Sequence, residues 1–174
     1  AGQSYISSLI KGINADFKYN FNIGADDVSF AYAYDVVAEV VVADKTSKEI
    51  IYTYEDILVP RTNVSTKNKT AFAISESVTA DFVKYDTMAR EFVELYGLTN
   101  ATTTLKLVFS VNTVTSCDNF EKDEVVSHQN SLVIPLGEVN FSIYSSTMAP
   151  STDLKLIAYN GMANRDLFFI IAVS

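Results

Sequence analysis

Residues 13–23 read INADFKYNFNI. Ile13, Ala15, Phe17, Tyr19, Phe21 and Ile23 are apolar or aromatic, and Asn14, Asp16, Lys18, Asn20 and Asn22 between them are polar. A period of two is that of a strand with one buried and one solvated face. So apolar a face needs a cover, and the pattern predicts a second sheet packed about 10 Å away.

The same period recurs along most of the chain. Val28, Phe30, Tyr32, Tyr34, Val36, Ala38, Val40 and Val42 line one face of a second long strand. GADD at 24–27 is good turn chemistry, so the first two strands are expected to form a hairpin. A third strand is predicted over 49–59, ending at Pro60, with RTNVSTKNKT (61–70) as a loop. Phe72, Ile74, Val78, Ala80 and Phe82 mark a fourth strand. The period then changes: Tyr85, Met88, Ala89, Phe92 and Tyr96 share one helical face, which predicts a helix over 83–96 ended by Gly97. A short helix is expected in SYISSLIKG (4–12).

Further strands are expected over 105–113, 125–136 and EVNFSIY (138–144). LKLIAY and LFFIIAV follow, joined through the turn signal Asn160-Gly161. About eight or nine strands with no βαβ alternation predict a mainly β fold, an antiparallel β-sandwich with one inserted helix. Residues 1–174 are expected to form one domain.

Composition narrows the function classes. The chain is 48% hydrophobic and 20% charged, which argues against disorder. Its net charge of -8 argues against nucleic acid, which calls for a basic surface. With Cys117 as the only cysteine, intrachain disulfides, Cys-rich zinc sites and CxxC redox pairs are excluded. No apolar run approaches the roughly 18 residues of a membrane span. The opening AGQSY lacks an initiator Met, so a processed or truncated piece is expected, with any signal or anchor removed. LFFIIAV (167–173) fits either a buried strand or the start of a longer apolar segment.

Residues able to carry chemistry are few. His128 is the only histidine and sits in SHQNS, a strand-like run, with no Gly-x-Ser-x-Gly elbow in the chain. An ordinary strand histidine is the expectation. Cys117 lies beside Asp118, Glu121, Asp123 and Glu124, whose negative charge disfavours a reactive thiolate. Those acids do not follow the EF-hand spacing, so a solvated turn is expected over a calcium loop. Asp26 and Asp27 are accounted for by the turn, and Asp35 and Glu39 by the partly exposed face of a long strand. No Gly-rich phosphate loop is present. Arg61, Lys67 and Lys69 suit a solvated loop, though an acidic partner would also fit them. Asn-x-Ser/Thr triplets such as those at Asn63, Asn68 and Asn100 are what chance supplies in so Ser/Thr-rich a chain. Tyr19, Tyr32, Tyr34 and Tyr52 alternate on strands, so packing is expected before ligand stacking. No catalytic, cofactor-binding or metal-binding residue is assigned, and no cofactor is expected.

YISSLIKGINADFKYNFN, followed by AYAYDVVAEVVV, resembles an uncharacterised bacterial and archaeal family of membrane-anchored extracytoplasmic β-rich domains. ILVPR, the helix end ELYG and LVIPL extend the resemblance over much of residues 4–136. It implies an ectodomain held to the membrane only through an anchor outside this sequence, and it supplies no site residues. The expected function is a non-catalytic extracytoplasmic module, structural or adhesive, whose partner is an envelope or extracellular protein or glycan. The alternatives are a carboxylate-dependent hydrolase of envelope sugars or peptides, and a small-ligand carrier closed around a cavity.

Overall fold

The computed structural model describes residues 4–23, 28–67, 69–116, 123–152 and 163–173. In chain order these form β1 (Ser4–Ile6), a 3-10 turn (Ser7–Leu9), β2 (Ile13–Ile23), β3 (Ser29–Asp44), β4 (Ile50–Thr66) and β5 (Ala71–Ala80). Next come α1 (Phe82–Leu95), β6 (Ala101–Ser116), β7 (Glu124–Leu136), β8 (Asn140–Ser142), β9 (Tyr144–Thr152) and β10 (Ala163–Val173). Five strands make a large sheet in the order β4-β3-β6-β7-β9, and three make a smaller one, β10-β2-β5. β1 and β8 form a separate short ribbon. All these pairings are antiparallel, so the fold is the mainly β, one-helix sandwich expected.

β2 is the middle strand of the small sheet, and its apolar row meets the large sheet. Ile13, Ala15, Phe17, Tyr19 and Phe21 are each at most 1% exposed. Phe17 lies 5.3 Å from Phe109 of β6, and Phe21 meets Phe30 of β3 edge-on at 5.6 Å. Phe72 of β5 stacks flat on Tyr32 of β3 at 4.0 Å. β10 runs beside β2 in unbroken register from Ala163↔Ile23 to Val173↔Ile13. LFFIIAV is therefore part of a strand of the small sheet, paired with β2.

β3, β4 and β6 are 16 or 17 residues long, against 10 or 11 for the small sheet. At roughly 3.3 Å per residue the large sheet overhangs by about 15–20 Å. α1 covers that overhang with Phe82, Tyr85 and Ala89 buried. Asp81 caps it by accepting the Lys84 N–H at 3.1 Å. Phe82 stacks on Phe141 of β8 at 5.1 Å, so the small ribbon closes the same end.

Two expectations are corrected and a third is narrowed. β2 and β3 are not a hairpin: β2 pairs with β5 and β10, β3 with β4 and β6. Each carries an apolar face, and placing them in opposing sheets lets those faces cover one another. Neither Pro60 nor RTNVSTKNKT ends the third strand, because β4 continues to Thr66. β4 is an edge strand, and its register against β3 slips there, from Tyr34↔Thr62 to Val36↔Val59. An edge irregularity is where a residue without an N–H is tolerated. In SYISSLIKG the short helix is confined to a 3-10 turn at Ser7–Leu9, and Ser4–Ile6 before it is a strand. The turn at 24–27, the run LKLIAY and Asn160-Gly161 lie outside the described residues.

Replacing Phe17 by Ala is expected to cost roughly 3–5 kcal/mol in denaturant unfolding, because its site is closed on all sides. Asn20→Ala, on the solvent face of the same strand, is expected to stay within about 0.5 kcal/mol.

Candidate binding groove

Among the described residues, the polar side chains singled out in the sequence do not converge. His128 lies between the sheets, its ring edge-on to Tyr19 at 5.6 Å. Asp123 is exposed, while Cys117, Asp118, Glu121, Asp26, Asp27 and Asn68 lie outside the described residues. The side chain of Glu124 does as well. Among the described residues no group of three His, Cys, Asp or Glu side chains is placed to hold a metal ion. Nor is any helix among them long and apolar enough to cross a membrane. Asp35 and Arg61 form a loose ion pair at 3.9 Å. Glu39 stands between Glu55 and Lys106 on the outer face of the large sheet. Partial burial raises its carboxyl above the usual range, Lys106 pulls it back and Glu55 adds to the rise. Lys67, Lys69 and Asn63 are exposed, and the Asn100 amide donates to Thr46 Oγ1 at 2.9 Å.

A concave surface forms elsewhere. A groove of about 780 Å³ runs between the C-terminal half of α1 and the adjoining ends of β6 and β7. Its apolar lining comes from Ala89, Val93, Leu98, Pro135 and Leu136. Thr99, Thr102, Thr103 and Thr104 add hydroxyls, and Arg90, Glu94 and Glu138 add charge. That volume lies within the range of small-molecule pockets.

Asp86 sets the groove's width. Its Oδ2 accepts from Arg90 Nε at 2.9 Å, one helical turn on, and its Oδ1 accepts the Gly137 N–H at 2.7 Å. Arg90 also donates through Nη2 to the Glu138 carbonyl at 3.4 Å. The helix is thereby bracketed to the turn after β7. Gly97 ends α1 and Gly137 begins that turn, at φ +59° and +72°, backbone that residues with a Cβ rarely adopt.

No protein-family model, curated protein or solved structure matches the chain.

The first turn of α1 is fixed separately, to β4. Asp56 accepts from Lys84 Nζ at 2.8 Å, Tyr85 Oη at 2.8 Å and Tyr54 Oη at 2.9 Å. The Lys84 ammonium foremost, with the Tyr85 and Tyr54 hydroxyls, holds its carboxyl below the usual range. Asp56 in turn raises Lys84, while Tyr85 rises chiefly through burial and then through Asp56. Further along, Phe92 stacks on Tyr52 at 4.4 Å and Tyr96 leans on Phe92 at 4.7 Å. α1 therefore leans on β4 with its large side chains and turns Ala89 and Val93 toward the groove.

The Asp86–Arg90 pair was readable as an i,i+4 contact. No sequence signal tied it to Gly137, 51 residues away. Glu94, Glu138 and the threonines carried no motif.

Since Asp56 is lowered by folding, its stabilisation is present above the unfolded carboxylate pKa and is lost as pH falls through the folded one. Asp56→Asn is expected to flatten the acid side of the melting-temperature profile below about pH 4. A wild-type acid slope in this variant would reject the assignment. A Cβ at Gly137 would meet Thr103 Oγ1 at 3.1 Å, whereas at Gly97 it meets nothing within 4 Å. Gly137→Ala is therefore expected to destabilise more than Gly97→Ala, both by roughly 1 kcal/mol or more in urea unfolding.

Proposed function

We propose that this chain is a non-catalytic, extracytoplasmic binding module of a cell-envelope protein, with the groove beside α1 as its ligand-facing surface. The observation that carries the reading is a concave surface of ligand size whose walls are held by Asp86 before any ligand arrives. Preformed walls lower the ordering cost of binding. Among the described residues no Ser, Cys, His or Lys lines the groove, and the usual nucleophile and base pairings are not found there. Its acids, Glu94 and Glu138, are exposed, whereas a glycosidase general acid is sheltered from solvent.

A carrier with an enclosed cavity is less favoured. The space between the sheets is occupied by Phe17, Tyr19, Phe21, Phe30 and Phe109, all at most 1% exposed. The envelope location is supported by the resemblance along residues 4–136 and is compatible with the acidic surface.

External protease applied to intact cells of the native host, followed by membrane fractionation, tests the location. Cleavage from outside with a membrane-retained stub is the expected result. A protected protein in the soluble cytoplasmic fraction would reject the extracytoplasmic reading.

A further inference from the structure

We infer that the groove beside α1 takes a basic segment of a partner protein, seating a lysine or arginine side chain between an apolar floor and the carboxylates of Glu94 and Glu138. The inference rests on the binding-module reading and deepens it by naming the partner's chemistry.

Charge gives the sign. Arg90 is the groove's cation, and Asp86 already neutralises it at 2.9 Å. Among the described residues Glu94 and Glu138 make no ion pair, and both are exposed. The groove is thus left acidic within a chain of net charge -8, a field that draws cations in and turns anionic ligands away.

The lining gives the shape of the guest. Ala89, Val93, Leu98, Pro135 and Leu136 offer an apolar bed beside the two acids. Lysine and arginine fit such a bed, because the methylene stem buries while the charged head reaches an exposed carboxylate. Threonine hydroxyls both donate and accept, so Thr99 and Thr104 suit the N–H and C=O groups of an extended peptide.

A glycan is the competing guest, and the lining disfavours it. Among the described residues no tyrosine or phenylalanine lines the groove, so none of them presents an aromatic face there to a sugar ring. Near α1 the aromatic surface lies on the β4 side, where Phe92 is stacked against Tyr52.

The test is fluorescence anisotropy with three labelled twelve-residue peptides, alternating Ala with Lys, with Glu or with Gln, in low and in physiological salt. The wild-type chain is expected to bind the Lys peptide alone. Glu94→Gln combined with Glu138→Gln is expected to weaken that binding roughly tenfold. Glu55→Gln combined with Asp123→Asn makes the same charge change away from the groove and is expected to leave it within about twofold. Circular dichroism melting of both variants excludes misfolding as the cause.

Equal loss in the two variants would overturn the inference, leaving only non-specific attraction to an acidic protein. Absence of Lys-peptide binding would overturn it as well. A panel of oligosaccharides, read by amide NMR shifts, separates the two levels. Shifts at Leu98, Thr104 and Gly137 on adding a sugar, without Lys-peptide binding, would overturn the basic-peptide guest while keeping the binding module. Groove amides unmoved by every peptide and sugar would reject both.

Discussion

The contact between β2 and the large sheet is the constraint from which the rest of the structure follows. Ile13, Ala15, Phe17, Tyr19 and Phe21 are covered almost completely by β3, β6 and β7, with Phe17 set against Phe109 at 5.3 Å. Burying such a row supplies on the order of 10 kcal/mol of transfer free energy, an upper figure because unfolded chains already shield some apolar surface. The small sheet must centre on β2 to complete that cover, and β5 and β10 flank it accordingly. Because the small sheet is short and the large sheet long, the far ends of β3, β6 and β7 are left bare. α1 exists to cover them, and the groove is the part it leaves uncovered.

Why the cover is incomplete follows from side-chain size along α1. Tyr85 and Phe92 reach out to β4 through Asp56 and Tyr52, while the helix backbone itself runs nearest β7, β3 and β6. Toward β6 and β7 the helix presents Ala89 and Val93, too small to fill the remaining space. Asp86 then fixes the width by bonding forward to Arg90 and across to the Gly137 N–H. Asp56 on β4 and Asp86 on the helix itself thus tie α1 to two different neighbours, and a groove with such walls is preorganised.

The elements were legible in the sequence because each depends on a short-range period. Period two marked β2, β3, β5, β6 and β7, and the change of period at Tyr85 marked α1 to within a residue. Partnerships were less legible. GADD signals a turn but not whether the chain returns along the same sheet or crosses to the opposing one; the apolar faces of β2 and β3 decided for crossing. Pro60 carries a local prohibition that an edge strand escapes at a register slip. The groove was illegible for a stronger reason. Its parts come from α1, the start of β6 and the end of β7, and each reads alone as ordinary helix surface or strand end.

Edges bear on why a groove is the surface to favour for binding. β4 is a 17-residue edge strand, and an unprotected edge of that length would invite strand pairing with other chains. Its register slips near Val59, near Ile57 and again near Ile51, and Pro60, Arg61 and Glu55 lie along it. Bulges, proline and charge are the features that keep an edge from templating another strand. On the other flank, β9 reaches along β7 only to Val133, so Pro135 lies just beyond that pairing. The edge features of β4 disfavour backbone recognition by an added strand. On the proposed binding reading side chains carry the recognition, and the groove beside α1 is where acidic heads, hydroxyls and apolar floor stand together.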